Sequence, residues 1–158
     1  MEDLIIRFGQ TEGPRNPTAS DVRDALESIE SGACRRPEFT IENVSNWKRE
    51  IINGRRVIRC VLEGRYMSAA TFYSEGAPIA LGWSVLYHDE QKQGFVLSSG
   101  GNPCPELEGI CCGAPLKTRA SCVVPLPLAL AALTYFVHYR NRSPNHEWLA
   151  RAIGQPFD

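Results

Sequence analysis

The stretch Glu50-Ile51-Ile52-Asn53-Gly54-Arg55-Arg56-Val57-Ile58 carries the strongest local folding signal in the sequence. Asn and Gly at the centre of a two-residue turn accept the positive φ angles that a type I′ hairpin requires. Aliphatic residues, which favour strands, flank the turn on both sides. The stretch therefore predicts a β-hairpin, in which the two strands pair antiparallel.

Further strands are predicted where strand-forming residues recur between turn-forming ones. They are residues 4–8, 39–42, 66–73, 83–88, 95–99, 122–124 and 146–149, and the second hairpin strand extends to residue 63. Two stretches, 9–17 and 100–121, lack this pattern and are predicted loops. Because the central strands follow each other through short connections, and parallel neighbours need a long crossover, the sheet is predicted to be antiparallel.

Two helices are predicted from their spacing of apolar residues. The apolar residues of the first are Val22, Ala25, Leu26 and Ile29. Thr18 and Ser20 are both candidate N-caps, the spacing from Thr18 to Asp21 is a variant of the capping box, and Gly32 is predicted to end the helix. The second helix is predicted from Pro127 to about residue 140.

These elements predict an α+β fold, a single curved antiparallel sheet of meander type with two helices packed on one face. A chain of 158 residues supports one domain, spanning residues 1–158. The composition, 43% hydrophobic and 22% charged, is that of a globular protein. The net charge of −1 lacks the basic excess of a nucleic-acid-binding domain, so no direct nucleic-acid contact is expected.

Two segments bear on the location of the protein. Residues 1–8 carry acids where a secretory signal carries cations, so the chain is predicted to be cytoplasmic, with reduced cysteines. Segment 120–139 lacks Asp, Glu, Lys and Arg, but Pro125 and Pro127 interrupt its first third. It is therefore predicted to be a buried helix after a short strand, and no membrane contact is expected.

One set of residues admits an enzymatic alternative. In zinc-dependent nucleobase deaminases, an H-x-E motif precedes a P-C-x-x-C motif, the His and both Cys bind zinc, and the Glu transfers protons. Here His88 and Glu90 precede Cys104, but six residues, instead of two, separate Cys104 from Cys111. The alternative is a zinc-dependent hydrolase or deaminase-like enzyme that uses these four residues.

Four thiols between residues 104 and 122 are enough in number for a structural zinc site. They belong to Cys104, Cys111, Cys112 and Cys122. Closed zinc sites are built on pairs of cysteines two to four residues apart, and no such pair occurs here, so free thiols, no metal and no cofactor are predicted. The sequence also lacks the G-x-S-x-G, Walker A and G-x-G-x-x-G motifs, which favours a protein that is not an enzyme.

The middle of the chain is acidic. Five acids and a single cation, Lys92, lie between residues 66 and 113, together with aromatic residues. An acidic surface with aromatic anchors suits a basic protein partner, because charge speeds association and buried aromatic side chains supply affinity. The predicted partner-binding residues are Glu75, Trp83, Tyr87, Asp89, Glu90, Glu106 and Glu108.

The C-terminal third has a recognisable order of motifs. The run Cys122-Val123-Val124-Pro125-Leu126-Pro127-Leu128-Ala129-Leu130-Ala131-Ala132-Leu133-Thr134-Tyr135-Phe136 is followed by Arg142-Ser143-Pro144 and by Glu147-Trp148. A V-P strand end, an alanine-bearing helix with a late Phe, an R-P-like break and a terminal strand with Trp resemble the closing signature of the first immunity-protein family of bacterial polymorphic toxin systems. The motif covers about thirty residues, and the rest of the chain agrees in the order of its elements.

The resemblance implies an antitoxin. Such a protein binds its cognate toxin domain as a one-to-one heterodimer in the cytosol of the producing cell and occludes the active site of the toxin, which is often a nucleic-acid deaminase. The residues themselves leave a third possibility open. In that case the chain is an oligomeric adaptor domain whose apolar helix, residues 126–139, packs against a second copy.

Overall fold

Eleven strands and two α-helices are formed by the residues that the computed structural model describes, 2–31, 38–100 and 105–152. The strands are β1 (Leu4–Phe8), β2 (Thr11–Arg15), β3 (Glu38–Asn43), β4 (Trp47–Ile52), β5 (Arg55–Cys60), β6 (Tyr66–Tyr73), β7 (Gly82–His88), β8 (Gln93–Ser98), β9 (Glu106–Cys111), β10 (Ala114–Arg119) and β11 (Glu147–Ala152). The helices are α1 (Ala19–Glu30) and α2 (Leu126–Tyr139), and short 3₁₀ turns cover Val44–Asn46 and Ala120–Cys122.

The strands pair antiparallel, and the predicted α+β class is confirmed. The main sheet has the order β11-β8-β7-β6-β3-β1-β2, and the β9–β10 hairpin joins it through β6. The neighbours β6, β7 and β8 follow each other as a meander does, but β1 lies between β2 and β3, and β11 returns to β8. The expectation of a single sheet is wrong, because β4 and β5 form a separate two-stranded sheet.

The Asn53-Gly54 turn has the predicted backbone, with φ angles of 51° and 76°. A second turn of the same kind joins β9 to β10, where Cys112 and Gly113 have φ angles of 54° and 75°. The prediction of a loop over residues 100–121 is therefore wrong for its described part. Cysteine rarely adopts a positive φ, so this hairpin has no strong sequence signal.

Two shorter predictions are also wrong. Residues 9–17 contain β2, which pairs with β1 on one side only, and Pro14 is tolerated because an edge strand has a free side. Residues 122–124 do not form a strand, since a 3₁₀ turn ends at Cys122. Val124 makes an isolated bridge to Trp83, with N···O distances of 2.8 and 2.9 Å.

Both predicted helices are confirmed. Thr18 Oγ1 accepts a hydrogen bond from the Asp21 backbone N–H (3.2 Å), and the Asp21 carboxylate accepts one from the Thr18 N–H (2.9 Å), which completes the capping box. Helix α1 ends at Glu30, and Gly32 lies outside the described residues. Helix α2 carries Pro127 in its first turn and ends at Tyr139, and the next residue, Arg140, has a left-handed backbone whose N–H donates to the Phe136 carbonyl oxygen at 2.7 Å.

The two helices share one hydrophobic core with alternate residues of the sheet. The strands contribute Leu4, Ile6, Phe39, Ile41, Met67, Ala69, Trp83, Val85, Tyr87 and Leu97, and the helices contribute Val22, Ala25, Leu26, Ile29, Ala129, Ala132, Leu133 and Phe136. Because side chains alternate along a strand, the strand residues of this core lie on one face of the sheet, and both helices cover that face. The apolar helix α2 is therefore packed in the core of its own chain.

A buried ion pair lies on the other side of β1 and β3. The side chain of Glu42 is fully buried, and Arg7 contacts it through Nε and Nη2. The same guanidinium donates to the Gly9 carbonyl oxygen and lies 5.9 Å from the centre of the Trp47 ring, where β4 begins. Arg7 therefore connects the main sheet to the base of the β4–β5 hairpin.

Candidate protein-docking surfaces

The aromatic residues of the predicted partner-binding surface lie in the core. Trp83 and Tyr87 are each only 2% exposed. Both face the helices from β7, where Trp83 Nε1 donates to the Glu30 carboxylate at 3.3 Å and Tyr87 packs against the rings of Phe136 and Trp148. Both side chains are therefore covered by their own chain, on the face of β7 opposite its outward-facing residues.

Two of the predicted acids stabilise the turn between β7 and β8. Asp89 Oδ1 accepts hydrogen bonds from the backbone N–H groups of Gln91 (3.0 Å) and Gln93 (2.9 Å). Glu90 forms an ion pair with Arg65 at 3.0 Å. Local structure therefore accounts for the positions of both carboxylates.

The other three predicted acids meet at the opposite end of β7. Glu75 and Glu108 line one cleft of about 390 Å³ with Lys117, whose Nζ lies 3.8 Å from Glu108 and 3.4 Å from Glu106. Arg119 stands opposite Glu106 in the hairpin register, so cations offset much of this negative charge.

The two groups of predicted acids lie at opposite ends of β7. The strand register separates Glu75, Glu106 and Glu108 from Asp89 and Glu90 by the length of a strand. His88 of β7 pairs with Tyr66 at one end of β6, and Gly82 pairs with Phe72 near the other end. Six residues of strand span about 20 Å. The seven predicted residues therefore do not form one acidic surface.

Sequence reasoning missed the element that exposes four large aliphatic side chains, the β4–β5 hairpin with its turn, residues 47–60, which we name the arm. Ile51 is 75% exposed and Ile52 48%, and Val57 and Ile58 are also exposed. Five cations and one acid accompany them: Lys48, Arg49, Arg55, Arg56, Arg59 and Glu50. Among the described residues, β4 and β5 pair only with each other. The arm is thus a basic ribbon with uncovered aliphatic side chains.

The base of the arm is held in place. The Val61 N–H donates to the Asn46 carbonyl oxygen at 3.0 Å, and the buried Asn46 side chain donates to the Glu63 carbonyl oxygen at 3.2 Å. At the edge of the main sheet, Arg49 lies 3.6 Å from Glu12 of β2. The arm is therefore oriented by its base.

Each face of the arm presents aliphatic and cationic side chains together. The register pairs Arg49 with Ile58 and Ile51 with Arg56 on one face, which bounds a shallow depression of about 510 Å³. The sequence does contain a signal for this exposed surface. The adjacent pairs Ile51-Ile52 and Val57-Ile58 each place an aliphatic residue on both faces of a two-stranded ribbon. Such a ribbon cannot hide all its apolar side chains by lying on one surface.

The residues of the zinc alternative form no metal site in the described part of the chain. His88 stacks on Tyr66, with ring centres 4.4 Å apart, and its pKa is lowered by burial and by the Arg151 charge. The sulfur atoms of Cys111 and Cys112 are 3.9 Å apart, Cys122 is buried, and Cys104 lies outside the described residues. Within residues 2–31, 38–100 and 105–152, no group of three or more His, Cys, Asp or Glu side chains is placed to hold a metal ion.

Comparisons with family models, with curated proteins and with solved structures gave no match to this chain. Neither helix of the described part has the length and apolar character needed to cross a bilayer.

Proposed function

We propose that this chain is a non-catalytic immunity protein, which binds a cognate toxin domain in the cytoplasm as a one-to-one complex and blocks its active site sterically. The observation that carries the proposal is the arm, where aliphatic side chains stay exposed beside five cations. Exposed apolar patches rimmed by polar groups are typical of protein-interaction sites.

The two kinds of side chain on the arm have different roles in binding. Burial of Ile51 and Ile58 against an apolar surface supplies affinity, since a few central apolar contacts dominate most interfaces. The cations at Arg55 and Arg56 attract an acidic surface and raise the association rate. The partner is therefore a protein with an acidic, partly apolar patch.

The charge of the arm also indicates where it binds. The resemblance implies toxins that act on nucleic acids, and the cleft of such a toxin is basic. A basic arm is repelled from that cleft, so its contact lies on an acidic surface beside it, and the rest of the chain covers the opening. Helix Leu126–Tyr139 and strand Glu147–Ala152 follow each other in the same order as the motifs on which the resemblance is based.

The test uses the toxin domain encoded by the neighbouring reading frame. We expect the chain to co-purify with it and to inhibit it at equimolar concentration. The double substitution Ile51→Ala/Ile58→Ala should raise Kd about 10- to 100-fold, as expected for loss of two central apolar contacts. Arg55→Ala/Arg56→Ala should slow association most at low salt.

The matched control is Ile79→Ala/Leu81→Ala, which removes equally uncovered aliphatic side chains (78% and 54% exposed) from the loop between β6 and β7. It should leave toxin binding unchanged. A toxin that stays fully active in excess chain contradicts the proposed function. If the control variant weakens toxin binding and the arm variants do not, the assignment of the binding site to the arm is contradicted. The assignment is also contradicted if the arm binds duplex DNA instead of the toxin.

A further inference from the structure

Two adjacent thiols lie where the β9–β10 hairpin meets the main sheet. Cys111 ends β9 and is half-buried, and Cys112 is exposed in the turn. Their sulfur atoms are 3.9 Å apart, and Cys112 Sγ donates a hydrogen bond to Glu38 Oε2 at 3.1 Å. The cluster thus joins two thiols and a carboxylate at an accessible turn.

The surroundings give the two thiols different chemistry. The pKa of Cys111 is lowered, chiefly because the Cys112 thiol proton, which faces Glu38, is also within reach of the Cys111 sulfur; the Arg151 charge adds to this effect, and burial and the Glu38 charge oppose it. The pKa of Cys112 is raised, because the same contact with Cys111, burial and the Glu38 carboxylate all favour its protonated form. Since the thiolate is the nucleophile, Cys111 is the thiol that reacts first.

We propose that Cys111 and Cys112 are a redox modification site, which forms a reversible disulfide by exchange with a small-molecule disulfide such as oxidised glutathione. The Cys111 thiolate attacks one sulfur of that disulfide, whose S–S bond breaks and releases one thiolate. Cys112 then loses its proton to solvent water and attacks the Cys111 sulfur, which releases the second thiolate. The two cysteines lose two electrons, and the small disulfide is reduced to two thiols.

The bond formed is readily reversed. Neighbouring Cα atoms are about 3.8 Å apart, below the usual range for disulfides, and a strained disulfide is easily reduced. The pair therefore stays reduced in a reducing cytoplasm and reacts when the disulfide concentration rises.

The bond also changes how the hairpin attaches to the sheet. β9 pairs with β6 at only two positions, Phe72 with Cys111 and Tyr73 with Ile110. Ring closure alters the backbone at Cys111 and removes the hydrogen bond from Cys112 to Glu38. Oxidation is therefore expected to loosen residues 106–119 and to leave the rest of the sheet in place.

The test equilibrates the full chain with defined ratios of reduced and oxidised glutathione and maps the disulfides by peptide mass spectrometry. We expect the peptide that holds both cysteines to lose two hydrogens, and hydrogen exchange to rise in residues 106–119 while β8 and β11 stay protected. Cys122→Ser, which changes a buried thiol, should behave as wild type. Glu38→Gln removes a charge that favours the protonated form of Cys112, so it should speed ring closure and leave less of the mixed disulfide at Cys111.

Cys111→Ser and Cys112→Ser should each abolish the loss of two hydrogens while keeping the fold. The proposal is overturned by three results: a disulfide from either residue to a different cysteine, a mixed disulfide that never closes at any ratio, or an intramolecular bond with unchanged exchange in residues 106–119. None of these outcomes depends on the toxin, so this test and that of the proposed function are independent.

Discussion

Replacement of Arg7 by Met tests the buried ion pair. Met keeps much of the apolar stem but leaves the Glu42 carboxylate, fully buried, without its cation. Loss of one partner of a buried pair costs about 3–5 kcal/mol, and the contact of Arg7 with Trp47 adds about 0.5–1 kcal/mol. For a chain of this size we expect the melting temperature to fall by about 7–24 °C.

The measurement is urea unfolding followed by circular dichroism, with the free energy of unfolding obtained by linear extrapolation. The matched control is Arg49→Met, which breaks the exposed pair with Glu12 and should cost less than about 1 kcal/mol. The double substitution Arg7→Met/Glu42→Leu removes both charges, and it should cost less than Arg7→Met alone. Equal losses for Arg7→Met and Arg49→Met, or a double substitution at least as costly as Arg7→Met, would refute the reasoning.

Three further substitutions test the hairpin, the cap and the buried imidazole. Gly109→Ala places a Cβ against the Tyr73 carbonyl oxygen and 2.6 Å from Phe72 Cζ, so it should destabilise the fold by about 1–3 kcal/mol in urea unfolding. Thr18→Ala should cost about 0.5–2 kcal/mol by the same method, and Ser20→Ala, which removes no cap, should cost less. Because the pKa of His88 is lowered from 6.5 by burial and by Arg151, the unfolded state binds more protons, and stability falls as the pH drops through that value. His88→Asn should therefore lose less stability than wild type between about pH 7 and about pH 5, and parallel losses would contradict this.

Much of the fold could be predicted because local chemistry and tertiary structure agree. The Asn53-Gly54 turn, the Thr18 capping box and the helix after Pro127 each depend on neighbouring residues alone. The β9–β10 hairpin could not be predicted, because Cys112 adopts a left-handed conformation that cysteine does not favour. β2 was hidden for a similar reason, since Pro14 suits a strand only at an edge.

The candidate site was harder to predict than the fold. Charge along the chain indicated residues 66–113, but the fold separates those acids by a strand length and places Trp83 in the core. The exposure of Ile51 depends on β4 and β5 leaving the main sheet, and this is a property of topology that hydropathy does not contain. Composition therefore identified neither the exposed aliphatic side chains of the arm nor the cations beside them.

The pairing of β11 with β8 has a consequence for synthesis on the ribosome. Trp148 pairs with Leu97 and Leu149 with Val96, about fifty residues earlier in the chain. At about 5–20 residues per second, the β8 edge waits roughly 2–10 s for its neighbour to be translated. During that time the unpaired edge of β8 is accessible to neighbouring nascent chains. Nascent chains on crowded polysomes should therefore associate through β8 unless a chaperone covers that edge.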